Sequence, residues 1–551
     1  MIKRKFFLSL VILFLVAVSI GISFKFMSNR EPKILSNYED TDYLAIYLED
    51  EQINYIPSKD SGYTLDLTKS SCNNGVTISF DYNTWSVKTN YSNYTNPDNT
   101  RVKCSLYFTD KYIEPILNGT DPILEASLIP VTISDDGVVK KADLASEWYD
   151  YEAKKWANAV ILEDESKNYA SGDIIPEDNI ESYFVWIPKY RYQLWDLGNY
   201  DSLTTIDTNK VHEIPIIFGD YNTSDSVSGE CTTPMESGAS GNCEVGDYMT
   251  HPAFLSIPST GFWVGKFETG YKGATTKEEA KQNMNDISKI QIKPNVYSWL
   301  GLQTSNAHLN AYNYQRELDS HMMKNTEWGA VAYFQHSMYG STTSVRLNNN
   351  SDYITGYQAT DEPTCSIAIG DCFEYCNDNT CNIAYPNSIL ASTTENITGI
   401  FDMAGNSREV MMSFTLNETG EVLVGDVTER LSGFNGSTGA GTIINNLVEL
   451  PEKKYYDLYK NETISFNSTF FRRILGDATA EMGPFYNVAS TYVISSWYNA
   501  LLVQYFSIHY PMITRGEYYA SGYHASIFSS LGGVGNENGN HSFRIILTPT
   551  K

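Results

Sequence analysis

Ile513-Thr514-Arg515-Gly516-Glu517-Tyr518-Tyr519, followed about two dozen residues on by Ser542-Phe543-Arg544-Ile545-Ile546-Leu547, decides how this chain reads. The second segment is a closing strand. The first lies in a tail where Trp497, Tyr498, Tyr505, Tyr510, Tyr518, Tyr519, Tyr523 and His524 are interleaved with Ser, Asn, Ala and Gly. Tyr, Ser, Gly and Asn make adaptable recognition surfaces, because Tyr offers a large amphipathic contact area with few rotamers to freeze. The plainer alternative is that half of these tyrosines are core, in a chain that has 40 of them. The expectation is a ligand-binding segment over 497–541 formed by those eight residues together with Arg515.

Upstream, Phe184-Val185-Trp186-Ile187-Pro188-Lys189-Tyr190-Arg191-Tyr192 and Gly261-Phe262-Trp263-Val264-Gly265-Lys266-Phe267-Glu268 are strand-like and aromatic. Two Pro-free stretches then predict helices over 299–318 and 326–338, with Thr326 able to cap the second. Polar insertions rich in Asn, Ser, Thr and Gly follow at about 341–395 and 412–468, a composition expected on surface loops.

In order along the chain come Val296-Tyr297-Ser298-Trp299, Met323-Lys324-Asn325-Thr326-Glu327-Trp328-Gly329-Ala330-Val331-Ala332-Tyr333, Phe401-Asp402-Met403-Ala404-Gly405-Asn406-Ser407-Arg408-Glu409-Val410, and the tail. Together they resemble the formylglycine-generating-enzyme (FGE-sulfatase, or sulfatase-modifying-factor) family over 182–549. The resemblance implies an α+β domain of C-type-lectin-like fold. It also exposes departures. Ser521 and Ser526 stand where that family has two copper-ligating cysteines, and a hydroxyl is a poor ligand for soft Cu(I), so neither copper nor iron is expected. Arg408 and Val410 replace two tryptophans. Glu517 replaces the second glycine of a Gly-Gly turn, at a backbone position that should favour positive φ. The resemblance further implies a calcium site at Asn406 and Glu409, since oxygen ligands suit a hard cation; the simpler reading is a structural carboxylate bonded to a neighbouring arginine or N–H. The tail is also similar to the variable end of surface proteins diversified by retroelements.

An oxidoreductase reading, with a non-haem iron held by ligands other than the cysteine pair, would need clustered histidines. His212, His251, His308, His321, His336, His509, His524 and His541 contain no pair at helical spacing, the closest being 13, 15, 15 and 17 apart. Serine hydrolysis lacks a Gly-x-Ser-x-Gly elbow. The expectation is therefore a non-enzymatic, adhesin-like module whose partner is an extracellular protein or glycan.

The N-terminal part places this module outside the cell. Met1-Ile2-Lys3-Arg4-Lys5 precedes an uncharged run from Phe6 to Phe24, 19 residues long, near the length that crosses a bilayer as a helix. Positive charge on its N-terminal side predicts a cytoplasmic N-terminus and an exported body after residue 30, single-pass in the cell membrane; a cleaved signal peptide, giving a secreted protein, is the alternative. With 66 Asp and Glu against 39 Lys and Arg, the net charge of −27 argues against nucleic-acid binding. The Asn- and Tyr-rich composition points to a bacterial source.

All eight cysteines lie in the exported part, which suggests disulfides. Cys72 with Cys104 and Cys231 with Cys243 are the local pairs; Cys365, Cys372, Cys376 and Cys381 allow three connectivities. Over 31–139, Tyr63-Thr64-Leu65-Asp66-Leu67 and Val76-Thr77-Ile78-Ser79-Phe80 alternate with period two, with an Asn74-Gly75 turn before the latter. This predicts a small, disulfide-stapled all-β domain. Residues 140–181, rich in charge and aromatics, read as a connector to the domain at 182–551.

Overall fold

The computed structural model describes short strand segments between residues 41 and 109, then residues 121–164, 166–194, 213–219, 246–255, 259–342, 345–359, 382–426, 432–445, 447–459, 474–478 and 508–549, with strand pairs at 486–487 and 493–494. The chain forms two compact units, 1–115 and 116–551. The expected membrane segment at 6–24 and the cysteines at 231, 243, 365, 372, 376 and 381 lie outside the described residues. Among the described residues, no helix is long and apolar enough to cross a membrane.

The first unit is antiparallel β. Strand Thr41–Leu48 pairs along its length with Val102–Thr109, which also carries Thr64–Leu65 and Ser71–Cys72. Cys72 is disulfide-bonded and stands opposite Cys104 in register, the local pair expected from the sequence. Gly75 takes φ 73 just before strand Thr77–Asp81, as the Asn-Gly turn requires. The unit closes at Pro115 rather than at 139.

The second unit is built on a seven-stranded sheet in the order His321–Met322, Ile545–Leu547, Gly261–Gly265, Ile180–Pro188, Asn158–Leu162, Ile129–Ile133, Val139–Lys141. The expected connector at 140–181 is not separate from the domain, because it supplies Asn158–Leu162 and parts of Val139–Lys141 and Ile180–Pro188 to this sheet. Asn158–Leu162 is buried at every residue between its two neighbours. A fully buried strand reads as a continuous apolar run rather than an alternating one, and five residues of it are easily lost among flanking charges. The Phe184–Tyr192 segment divides at Lys189 into Ile180–Pro188 and Tyr190–Gln193, and the latter pairs in a separate three-stranded sheet.

Packed aromatics fill the interior. Trp156, Trp186, Trp263, Trp299 and Trp328 are all fully buried. Trp186 faces Trp263 across the sheet, with ring centroids 5.3 Å apart. Position 261, where the strand begins, has no room for a side chain, since a Cβ there would stand 2.5 Å from the Trp186 ring.

Helices span Thr304–Tyr314 and Asn325–Gln335. Thr326 does not cap the second. Lys324 precedes it, and the Glu327 carboxylate accepts from the Lys324 N–H at 2.8 Å. The Thr326 N–H instead meets Asp457 at 2.7 Å, a carboxylate set against the positive end of the helix. Asp457 belongs to the second expected insertion, and the described part of that insertion is no surface loop. It forms a five-stranded sheet, Ile443–Ile444, Gly436–Thr438, Val422–Gly425, Ser413–Leu416 and Asp457–Tyr459, with Phe414, Val424, Phe434 and Tyr459 buried. Much of the first insertion is internal too, with Asn348, Thr355, Ser388 and Thr393 fully buried.

Candidate recognition surface

The strand Met512–Arg515 pairs with Arg408–Val410, which in turn lies parallel to His541–Ser542. This brings the Gly-Asn block beside the turn that follows Arg515. Two backbone bonds lock block to turn, Gly405 N–H to Gly516 O at 2.8 Å and Tyr519 N–H to Asn406 O at 3.0 Å. The backbone there is strained. Gly405, Asn406, Gly516 and Glu517 have φ of 82, 57, 76 and 60, and nearby Asp402 and Tyr353 have 63 and 55. A non-glycine residue in the left-handed region costs about 1–2 kcal/mol, so such a cluster persists only where the surroundings fix it.

What fixes Glu517 is visible. Its side chain is 1 % exposed, and its Oε2 accepts from Arg408 Nε at 3.1 Å, Arg408 Nη2 at 2.9 Å and Ser521 Oγ at 2.7 Å. Arg408 and Ser521 thus converge on one carboxylate oxygen of Glu517. Ser526 is also buried, and its Oγ accepts from the Phe528 N–H at 3.2 Å. Ser521 thus ties its segment to Glu517, and Ser526 closes a local turn of its own.

Above this network lies a ladder of rings. The Arg408 guanidinium sits 4.7 Å from the Tyr518 centroid, Tyr518 and Tyr519 meet edge to face at 5.6 Å, and Tyr519 meets Tyr353 in the same way at 4.9 Å. Lys277 Nζ caps the far end, 4.9 Å from the Tyr353 ring. Tyr353 is buried and donates its hydroxyl to Asn540 Oδ1, whereas Tyr518 and Tyr519 remain half-exposed. Edge-to-face pairs add about 0.5–1.5 kcal/mol each beyond burial, so the half-exposed rings are held in place before any ligand arrives.

Of the other expected contact residues, the structure describes the side chains of Arg515 and Tyr510. Arg515 is fully buried; it donates to Asn325 Oδ1 at 2.7 Å, to Phe528 O at 3.3 Å and to Asp477 O, making it an internal tie rather than a surface residue. Tyr510 is exposed, just before the Met512–Arg515 strand. Tyr523 and His524 lie in the short 3-10 helix Tyr519–His524, but their side chains, like Trp497, Tyr498 and Tyr505, lie outside the described residues. Arg408, Tyr353 and Lys277 went unrecognised as site residues in the sequence. Arg408 carried a signal, as an arginine where the pattern has tryptophan; the other two carried none.

Glu409 is not free to serve as half of the expected calcium pair. Glu409 is fully buried with both oxygens on Arg544, whose Nε lies 2.9 Å from Oε2 and Nη2 2.5 Å from Oε1. The guanidinium already neutralises that carboxylate and would repel a second cation. Asn406 donates to Ser298 Oγ at 2.9 Å, and its Oδ1 is buried with no hydrogen-bond partner. Glu268 completes this interior cluster. Burial pushes its carboxyl well above the usual range, and the neighbouring Glu409 and Asp402 push it further.

His251, His308, His321, His336 and His541 are buried, and burial holds His251 and His541 at about 3 and His308 at about 4, so these three are neutral at physiological pH. Among the described residues, no group of three His, Cys, Asp or Glu side chains is placed to hold a metal ion. No known protein family's sequence profile matches this chain, and no curated protein matches it.

Proposed function

We propose that the larger unit is a ligand-recognition module, displayed by an exported and membrane-anchored or secreted protein, which binds an extracellular protein or glycan through Tyr518 and Tyr519. The observation that carries this reading is the pinned ring ladder, in which two half-exposed tyrosines stand on a strained turn held by the buried Glu517–Arg408 pair. Rigid amphipathic rings lose little conformational entropy on binding. The resemblance to the formylglycine-generating-enzyme family supports a scaffold without oxidase chemistry, since Ser521 and Ser526 replace its thiolates and both are committed to hydrogen bonds.

The test is a screen of the full chain against glycan and extracellular-protein arrays, wild type beside Tyr518→Ala/Tyr519→Ala. Removing the rings forfeits their edge-to-face pairs, about 0.5–1.5 kcal/mol each, so binding is compared well below the temperature at which the variant's own melting profile shows unfolding. Selective binding that disappears in the variant supports the reading. Binding that is indifferent to the substitution moves the site elsewhere, and turnover of a cysteine-containing sulfatase peptide would overturn the non-catalytic reading outright.

A further inference from the structure

Resting on Tyr518 and Tyr519 as the recognition surface, we infer that its ligand is an acidic sugar, a ring whose carboxylate is taken end-on by Arg408 while its C–H face packs on the tyrosines. A guanidinium has five N–H donors in a planar fork. Glu517 Oε2 uses the side edge, Nε–H and one N–H of Nη2. Nη1 and the second N–H of Nη2 make no hydrogen bond to the described residues, and Nη1 is not among the buried unpartnered atoms. The Arg408 side chain keeps 19 % of its surface exposed. The free end of the fork therefore presents two parallel N–H groups to solvent beside Tyr518, the geometry that accepts a carboxylate through both oxygens.

Preorganisation strengthens the argument. A free surface arginine loses considerable rotamer freedom when it captures an anion. Arg408 has already lost it, held at its edge by a carboxylate that is 1 % exposed and on its face by Tyr518 at 4.7 Å. The ligand acid then meets a fixed donor pair instead of ordering one. Lys277 Nζ at the other end of the ladder adds a second positive charge on the same row of rings, with one hydrogen bond of its own, to Ser351 O at 3.2 Å. A neutral sugar would stack on the rings but leave the end of the fork unanswered. A flat hydrocarbon would do the same at greater cost, because it would cover those N–H groups without accepting from them.

Three probes separate these features: methyl β-glucuronide (ring and carboxylate), methyl β-glucoside (ring alone) and acetate (carboxylate alone). Binding to the full chain is followed by titration calorimetry or ligand-observed NMR. The expected result is a glucuronide bound at least about tenfold more tightly than either of the others, as two charge-assisted hydrogen bonds on a stacked ring imply. Arg408→Lys keeps a cation against Glu517, and with it the fold, but loses the planar fork; the preference for the acid should fall by about tenfold. In Arg408→Gln/Glu517→Gln, which removes both charges together, the preference should vanish with the melting profile retained. Equal binding of glucuronide and glucoside, a preference that survives Arg408→Lys, or no binding of the glucuronide by wild type would each overturn the acidic-sugar inference. The recognition reading falls separately, only if the Tyr518→Ala/Tyr519→Ala variant binds every ligand found on the arrays as wild type does.

Discussion

Removing Arg408 should cost far more than removing an ordinary half-exposed arginine, because of what it leaves behind. Arg408→Ala strips the Glu517 carboxylate of both guanidinium contacts, at 2.9 and 3.1 Å, and leaves a side chain that is 1 % exposed with only the Ser521 hydroxyl as donor. Breaking a buried pair from one side costs about 3–5 kcal/mol. The 19 % exposure of Arg408 admits some water, which places the expected loss near the lower end, about 3 kcal/mol. Glu517→Gly works in the opposite sense. It relieves a left-handed non-glycine residue at φ 60, a gain of about 1 kcal/mol, while stranding a more accessible guanidinium. The double variant Arg408→Ala/Glu517→Gly removes both problems, so the two substitutions should couple by about 2–3 kcal/mol. The assay is a double-mutant cycle from urea unfolding followed by tryptophan fluorescence, which reports on the larger unit through Trp156, Trp186, Trp263, Trp299 and Trp328. Additive effects within about 0.5 kcal/mol would refute the view that these two residues form one unit.

Three further outcomes follow from the fold. Gly329→Ala should destabilise by at least about 3 kcal/mol, since its Cβ would meet the Gly476 carbonyl and stand 2.8 Å from Asp477 Cα, backbone that cannot swing aside; a melting temperature unchanged from wild type would contradict that packing. Burial pushes Asp457 up to about 6 against the pull of Lys324, so its protonated form favours folding, with a contribution fully present below 3.8 and lost as pH rises through 6. Glu327 behaves oppositely. Burial raises it, but Lys324 and His321 outweigh burial and hold it at about 2, so its contribution is present above 4.5 and lost as pH falls through 2. Asp457→Asn should flatten the decline in stability between about pH 4 and 7 and leave the acid limb intact; denaturation at a series of pH values decides this. Lastly, Cys72→Ser should lower the stability of the small β unit by about 2–4 kcal/mol and leave the unfolding of the larger unit unchanged, which limited proteolysis under oxidising conditions would display.

Where local chemistry decides local structure, the sequence was legible. Period-two alternation located the Thr64–Leu65 and Thr77–Asp81 strands, Asn74-Gly75 placed a turn, and the absence of proline located both helices. The position of Glu517 anticipated its positive φ. Composition misled where it was taken as a guide to depth. Polar residues at 412–468 suggested surface loops, yet Ser413, Thr415 and Ser432 are fully buried in or beside a sheet. Arg515 sits among the tail tyrosines in sequence, but a guanidinium whose donors are met by Asn325, Phe528 and Asp477 can lie in the interior, and those partners are 190, 13 and 38 residues away. The pairing of Arg408 with Glu517 spans 109 residues, so neither departure from the family pattern could reveal that it answers the other.

The sheet order has a consequence for how such a chain is made. Ile545–Leu547 lies between Gly261–Gly265 and His321–Met322, and Arg544 beside it reaches back 279 residues to the Gly265 carbonyl. During synthesis, both neighbouring strands must wait with open edges until that late segment arrives. Open edges are templates for pairing with other chains, and a sheet closed by so distant a strand assembles slowly. The larger unit thus completes this sheet late, when a segment distant in sequence from both of its neighbours enters between them.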